Sequence, residues 1–209
     1  MTAAIAIFVK TPSLSSVKTR LAETIGKEKA LEFYHLAVEC IKEAVEQSGL
    51  VAYWAVAEKE GLAMWRGFEA THTGEGELGE RLHHIYSSLL EKHETVLLIG
   101  ADSPQITPIL LKEAAKKAAS GKFVIGPARD GGFYLFAGNK SVEKKTWMET
   151  PYSVAETLQM LVEKIGEAEF LSTLTDVDKE TDLQLLQKEI RGCNLNSKQK
   201  LKIWLENNI

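Results

Sequence analysis

Apolar residues recur along the chain with two different periods, and the switches between them outline its elements. Ala3-Ala4-Ile5-Ala6-Ile7-Phe8-Val9 is an unbroken apolar run of strand length, the form taken by a strand covered on both faces, and it stops at Lys10-Thr11-Pro12. Over residues 27–47, Ala30, Leu31, Phe33, Tyr34, Ala37, Val38, Ile41, Ala44 and Val45 recur at spacings of three and four, and Gly49 follows as a stop signal, so an amphipathic helix is expected. Residues 50–57 and 95–101 read as further buried strands. Residues 79–92 read as a helix, and 108–119 as an Ala/Lys-rich helix started by Thr107. Strands are expected at 122–126, 133–137 and near Phe170, a helix capped by Ser153 running to about Ile165, and helices from about Asp182 and Ser197. Residues 138–151 carry lysines, Trp147 and Met148 without a clean period and read as a surface insertion. Strands alternating with helices predict an α/β fold: a mainly parallel sheet with helices on both faces. With no repeat and no linker, residues 1–209 are expected to form one domain.

Composition narrows the class. The chain is 44% hydrophobic and 26% charged, the ordinary globular balance, which excludes disorder and low complexity as its main state. Lys and Arg number 25 against 29 Asp and Glu, a net charge of −4, so a polymeric nucleic-acid partner is not expected. Cys40 and Cys193 are far apart with no metal-ligand spacing, which fits a reducing cytoplasm. Residues 1–9 lack the charged start, longer apolar stretch and cleavage site of a secretion signal, and no apolar run reaches membrane-spanning length, so a cytoplasmic protein without membrane insertion is expected.

In open sheets of this class, ligands bind outside the carboxyl ends of the strands. Three of the segments that leave apolar runs carry chemistry. Residues 10–21 gather Lys10, Lys18 and Arg20 with several hydroxyls, a set able to meet a di- or triphosphate, although neither a P-loop nor a Rossmann glycine fingerprint is present. A solvated basic turn is the equal alternative. Asp102, in Asp102-Ser103-Pro104, can hold Mg2+ or Mn2+ against phosphates, or can cap the turn. Gly126-Pro127-Ala128-Arg129-Asp130-Gly131-Gly132-Phe133-Tyr134 allows a ligand close to its backbone, but Asp-Gly first suggests a hairpin turn. Asp176 and Asp178 could complete a metal site, while Thr181 or Asp182 could cap a helix. The five histidines form no metal signature, Cys40 falls on the core face of its helix, and no nucleophile elbow is present. The four tryptophans read as packing residues, with a stacking role left open for Trp65 and Trp147.

Taken in order, Val17-Lys18-Thr19-Arg20-Leu21, Leu78-Gly79-Glu80-Arg81-Leu82, Asp102-Ser103-Pro104, the segment 126–134 and Asp176-Val177-Asp178 resemble the GT-A-like nucleotide-diphospho-sugar transferase superfamily. More specifically, the chain is similar to the bacterial radical-SAM/selenodomain-associated transferases, also described as arsenosugar-biosynthesis glycosyltransferases. The resemblance covers nearly the whole chain and implies a Rossmann-like GT-A fold. It implies that Lys18, Arg20, Asp102 and Asp130 act in catalysis. It implies also that Lys10, Lys18, Thr19, Arg20, Arg81, Gly131 and Gly132 bind the nucleotide and substrate. Asp102 and Asp178 are the implied ligands of Mg2+ or Mn2+, with Asp176 as substitute for Asp178. The expected partners are a nucleotide-sugar and a small-molecule acceptor. A nucleotidyltransferase using an NTP and a phosphorylated small acceptor is the alternative, as is a catalytically weakened nucleotide-binding protein.

Overall fold

The structure is a computed structural model and describes residues 2–190 and 195–209; Cys193 lies outside the described residues. The first apolar run forms β1 (Ala3–Val9), flanked in parallel by β2 (Val51–Val56) and β4 (Thr95–Gly100), with Ile7 opposite both Trp54 and Ile99. Beyond β2 lies the short parallel strand β3 (Glu69–His72). Beyond β4 come β6 (Phe133–Gly138), then β5 (Phe123–Pro127), then β7 (Ala168–Phe170). The described residues thus build a seven-stranded sheet of order β3-β2-β1-β4-β6-β5-β7. Only β6 runs antiparallel, to both of its neighbours. The expected α/β architecture is present.

The unbroken apolarity of β1 follows from its position. Ile5, Ile7 and Val9 face Tyr34, Ile41 and Val45 of α2 (Lys27–Ser48) and Leu111 and Ala114 of α4 (Pro108–Ala119). Ala4 and Ala6 face Leu82, Ile85, Tyr86 and Leu89 of α3 (Leu78–Leu90). A third cluster joins Phe33, Ala37 and Cys40 of α2 to Leu21 of α1 (Thr19–Ile25), Leu183 and Leu186 of α7 (Glu180–Glu189) and Leu201 and Leu205 of α8 (Asn196–Asn208). Val177 is buried in this cluster, which anchors residues 176–178 next to the end of β4. Thr107 caps α4 as expected, accepting a hydrogen bond from the Leu110 amide at 3.2 Å.

Two expectations are corrected. Residues 138–151 are not a surface insertion: they contain α5 (Lys144–Glu149), and Trp147 is fully buried, 4.9 Å from the Phe136 ring and 5.8 Å from that of Tyr86. A six-residue helix is too short to display a period. Nor does Ser153 cap a helix. It adopts the left-handed conformation, with φ 63°, and α6 (Thr157–Ile165) starts four residues later. The Thr157 hydroxyl lies 2.7 and 2.8 Å from the carbonyl oxygens of Pro151 and Val154, folding the intervening residues into a turn. The sequence pattern also does not show α1, β3 or the 3₁₀ turn Lys59–Met64. Among the described residues, no helix is long and apolar enough to cross a membrane.

Candidate functional site

From β1 the chain steps outward to β2 and β3, then returns to β4 on the other side of β1. Such a reversal splays the connecting loops and leaves a crevice at the carboxyl ends of the strands. Here the crevice is a cleft of about 1000 Å³, and its lining brings together Lys10, Lys18, Thr19, Arg20, Arg81, Asp102, Asp130, Gly132, Asp176 and Asp178. Of the sequence-predicted residues, Gly131 is outside the lining. Its φ is +90°, and a Cβ there would stand 2.0 Å from the Ala155 carbonyl oxygen, so this glycine serves the close packing of the hairpin on the turn before α6. The hairpin reading of 127–133 holds, and the same turn supplies Asp130 and Gly132 to the cleft.

The loop after β1 is pinned from behind. Tyr34 Oη donates to the Lys10 carbonyl at 2.7 Å and accepts from the Lys10 amide at 3.1 Å. Thr11 donates its amide to Glu58 Oε2 at 2.7 Å, and Trp65 Nε1 donates to the Thr11 hydroxyl at 3.1 Å. Burial pushes the Glu58 carboxyl up, but hydrogen bonds from Ser15 and Thr11 outweigh it and hold the group below the usual range. Glu58 and Tyr34 both line the cleft, and the sequence reading missed them. The signal for Glu58 was available, since it directly follows the apolar run of β2 and its exit.

Lys18 and Arg20 sit two residues apart and point into different surroundings. Lys18 has φ 49° and ψ 41° where the loop enters α1. Its ammonium turns inward, 2.6 Å from Asp102 Oδ1, donating also to the Val177 carbonyl and lying 5.7 Å from the Phe33 ring centre. The Lys18 side chain is only 5% exposed, against 42% for Asp102. Arg20 instead stays at the surface and donates to Asp178 Oδ2 at 2.6 Å, which raises its pKa further. Arg81 lies across the ends of β2 and β3: Nε donates to the Gly76 carbonyl at 2.8 Å, and Nη1 to the Thr73 hydroxyl at 3.1 Å.

The acidic side is cross-braced. Val177 donates its amide to the Asp102 carbonyl at 3.0 Å, and Ser103 Oγ donates to Asp176 Oδ1 at 3.3 Å. Burial, then the nearby charges of Asp102 and Asp130, push the Asp176 carboxyl up to about 7, against the opposing pull of Lys18 and Ser103. Beneath it, Gln105 Nε2 donates to the Thr175 carbonyl at 2.6 Å and to Glu189 Oε2 at 2.8 Å. The fully buried Lys198 donates to the carbonyls of Gln105 and Ile106 at 2.9 and 2.6 Å. Arg129 joins this support, donating to Glu189 Oε1 at 3.0 Å. Asp182 is a helix-capping residue, accepting from the amides of Asp178 and Lys179. Cys40 is buried, which pushes its thiol up to about 12, a poor nucleophile.

Among the described residues, no group of three or more His, Cys, Asp or Glu side chains forms a ready metal cage. The donor set nonetheless suits a hard cation: burial and the charges of Asp102 and Asp130 disfavour ionised Asp176, and a divalent ion beside it would favour the carboxylate. Two carboxylates plus substrate phosphates and water are a common complement for Mg2+.

The comparisons with known proteins agree on the fold. A candidate nucleotide-diphospho-sugar transferase from Desulfovibrio desulfuricans G20 is 24% identical and superposes with a TM-score of 0.87, covering 100% of this chain and 99% of that one. A nucleotidyl transferase from Methanothermobacter thermautotroptrophicus is 12% identical, with a TM-score of 0.57 over 92% of this chain and 99% of that one. Rv0371c from Mycobacterium tuberculosis H37Rv, in complex with manganese, is 13% identical, with a TM-score of 0.51 over 88% and 97%. The fold is therefore the Rossmann-like fold of nucleotidyl and sugar transferases. No curated protein matches by sequence. Residues 37–154, more than half of the chain and spanning the Leu78-Gly79, Asp102-Ser103-Pro104 and Asp130-Gly131-Gly132 segments, match a family described as an uncharacterized protein conserved in bacteria (DUF2064), and the chain belongs to that family.

Proposed function

We propose that this protein is a metal-assisted transferase that takes a nucleotide-sugar as donor and a small molecule as acceptor. The observation that carries the reading is the juxtaposition in one crevice of exposed basic groups on the loop after β1 with Asp102, just past β4, and Asp176, in the segment before α7. Lys10, Thr19, Arg20 and Arg81 would bind the diphosphate. Lys18 would act from behind, holding Asp102 in place and balancing its charge. The assignment of Asp178 as second metal ligand is revised within this proposal. Asp178 is held by Arg20, whereas Asp176 shares its surroundings with Asp102, so Asp102 and Asp176 are the pair to hold Mg2+ or Mn2+. A cation there would stabilise charge developing on the leaving diphosphate. Asp130, whose Oδ1 accepts from the Gly132 amide at 2.9 Å, is a carboxylate at the cleft available to the acceptor.

The finer assignment to radical-SAM/selenodomain-associated transferases belongs to the same proposal and rests on the five ordered motifs. So do its single-domain organisation over 1–209 and its cytoplasmic setting. The second reading, a nucleotidyltransferase, is favoured by the shared fold with a nucleotidyl transferase. Incubation with Mg2+ or Mn2+, panels of nucleotide-sugars and NTPs, and small acceptors separates the readings by the product released. Sugar transfer gives a nucleoside diphosphate. Pyrophosphate from an NTP and a phosphorylated acceptor would replace the first reading by the second, and binding of nucleotide without turnover would leave a binding protein.

A further inference from the structure

Three of the aspartates that line the cleft come from different segments: Asp102 just past β4, Asp130 in the turn between β5 and β6, and Asp176 before α7. Their charges work against this arrangement. Burial, then the charges of Asp102 and Asp130, disfavour the ionised form of Asp176, so the three segments experience a repulsion that tends to part them. Backbone hydrogen bonds join the segments only in pairs. Val177 donates its amide to the Asp102 carbonyl at 3.0 Å, and Arg129 donates its amide to the Leu174 carbonyl at 3.1 Å.

Behind the aspartates lies another carboxylate, that of Glu189, the last residue of α7. A negative charge is unfavourable there, because the carbonyl end of a helix already carries partial negative charge. What holds it is a near neighbour of each aspartate. Thr175, next to Asp176, donates its amide to Glu189 Oε2 at 3.0 Å and its hydroxyl to Oε1 at 2.8 Å. Arg129, next to Asp130, donates Nε to Oε1 at 3.0 Å. Gln105, in the segment that follows Asp102, donates Nε2 to Oε2 at 2.8 Å. Each carboxylate oxygen thus takes two donors. Burial pushes the Glu189 carboxyl up, but these hydrogen bonds outweigh it and hold the group below the usual range. Gln105 and Thr175 are buried, and the Glu189 side chain is only 17% exposed. None of these four residues is among the described residues lining the cleft, so their influence on a ligand passes through the aspartates.

We propose that Glu189 is a positioning residue for the cleft: by gathering Gln105, Arg129 and Thr175 on one carboxylate, it keeps Asp102, Asp130 and Asp176 in the mutual positions in which Asp102 and Asp176 share a divalent cation. The inference rests on the metal-assisted reading and adds to it a residue that touches neither metal nor substrate. The role needs a carboxylate, and an amide of the same shape does not replace it. Glutamine has one accepting oxygen, and whichever way it is turned its NH2 group faces two of the donors. Groups that orient metal ligands from behind typically change metal affinity by about ten- to a hundredfold when replaced.

The test compares the wild-type chain with Glu189→Gln and Thr175→Val. Mn2+ alone is the binding probe, with free Mn2+ followed by electron paramagnetic resonance, and amide hydrogen exchange is measured on the metal-free proteins. Glu189→Gln should weaken Mn2+ binding by about tenfold and speed exchange over residues 102–106, 128–132 and 174–178 together. Thr175→Val keeps the Glu189 bonds to Gln105 and Arg129. It should weaken Mn2+ binding by about threefold, loosen residues 174–178 and spare 128–132. Wild-type Mn2+ affinity in Glu189→Gln, or in Thr175→Val should the first variant not fold, would overturn the proposal, as would faster exchange confined to α7. A wild-type chain that binds no Mn2+ sinks the metal-assisted reading instead, and the exchange pattern then decides separately whether Glu189 holds the three segments.

Discussion

At the scale of single residues, the site depends on which way charges are turned. Lys18 and Arg20 are alike in composition, yet the left-handed backbone at Lys18 sends its ammonium inward to Asp102 while Arg20 stays in solvent. The two ends of the Lys18–Asp102 pair should therefore differ in cost when removed. Asp102→Ala strands an ammonium that is 5% exposed and should lose about 2–3 kcal/mol, below the usual cost of breaking a wholly buried pair because Asp176 remains nearby. Lys18→Met leaves Asp102 42% exposed and free to rehydrate, and should lose about 1 kcal/mol or less. Urea unfolding of both variants checks the order, and a costlier Lys18→Met would contradict it. Asp102 and the basic loop were legible in the sequence because each directly follows an apolar run. The proposed preference for Asp176 over Asp178 was not, since it rests on Ser103, 73 residues before Asp176 in the chain, and on Arg20, which holds Asp178. Glu58 obeys the same rule as Asp102, following directly on the apolar run 50–57.

Among the elements, those with several turns or a full strand of apolar residues announced themselves, α2 and β1 most plainly. The ones that did not are short or peripheral. β3 reads Glu-Ala-Thr-His and is a strand because β2 offers it a parallel partner. α1 has seven residues, of which only Leu21 is buried. α5 is hidden by its length, and its role shows only in three dimensions, where Trp147 fills the space against Tyr86 and Phe136 and backs the start of α3. Trp147→Ala should therefore lower stability by about 3–5 kcal/mol, as for other large buried aromatic side chains. A loss under about 1 kcal/mol by chemical denaturation would return residues 138–151 to the surface insertion suggested by their pattern.

For the whole molecule, a net charge of −4 is compatible with the proposed binding of phosphates because the cleft lining includes four basic side chains. Strand order explains why they gather there. The reversal between β1 and β4 opens the crevice, and the helices packed outside α2 hold residues 176–178 at its rim. The sequence predicted an α/β sheet, the hairpin and most of the charged cleft residues, but the placement of β6 between β4 and β5 comes from tertiary packing that no local period records. The central claim is that a nucleotide's phosphates bind between the loop after β1 and the Asp102/Asp176 pair with a divalent cation. Calorimetric titration with a panel of nucleoside diphosphates, with and without Mn2+, tests it most directly. Binding should require Mn2+ in the wild-type protein, weaken by at least about tenfold in Arg20→Gln, and in Asp176→Asn no longer be gained on adding Mn2+. Absence of nucleotide binding by the wild-type protein, or binding unchanged in both variants, would contradict the account.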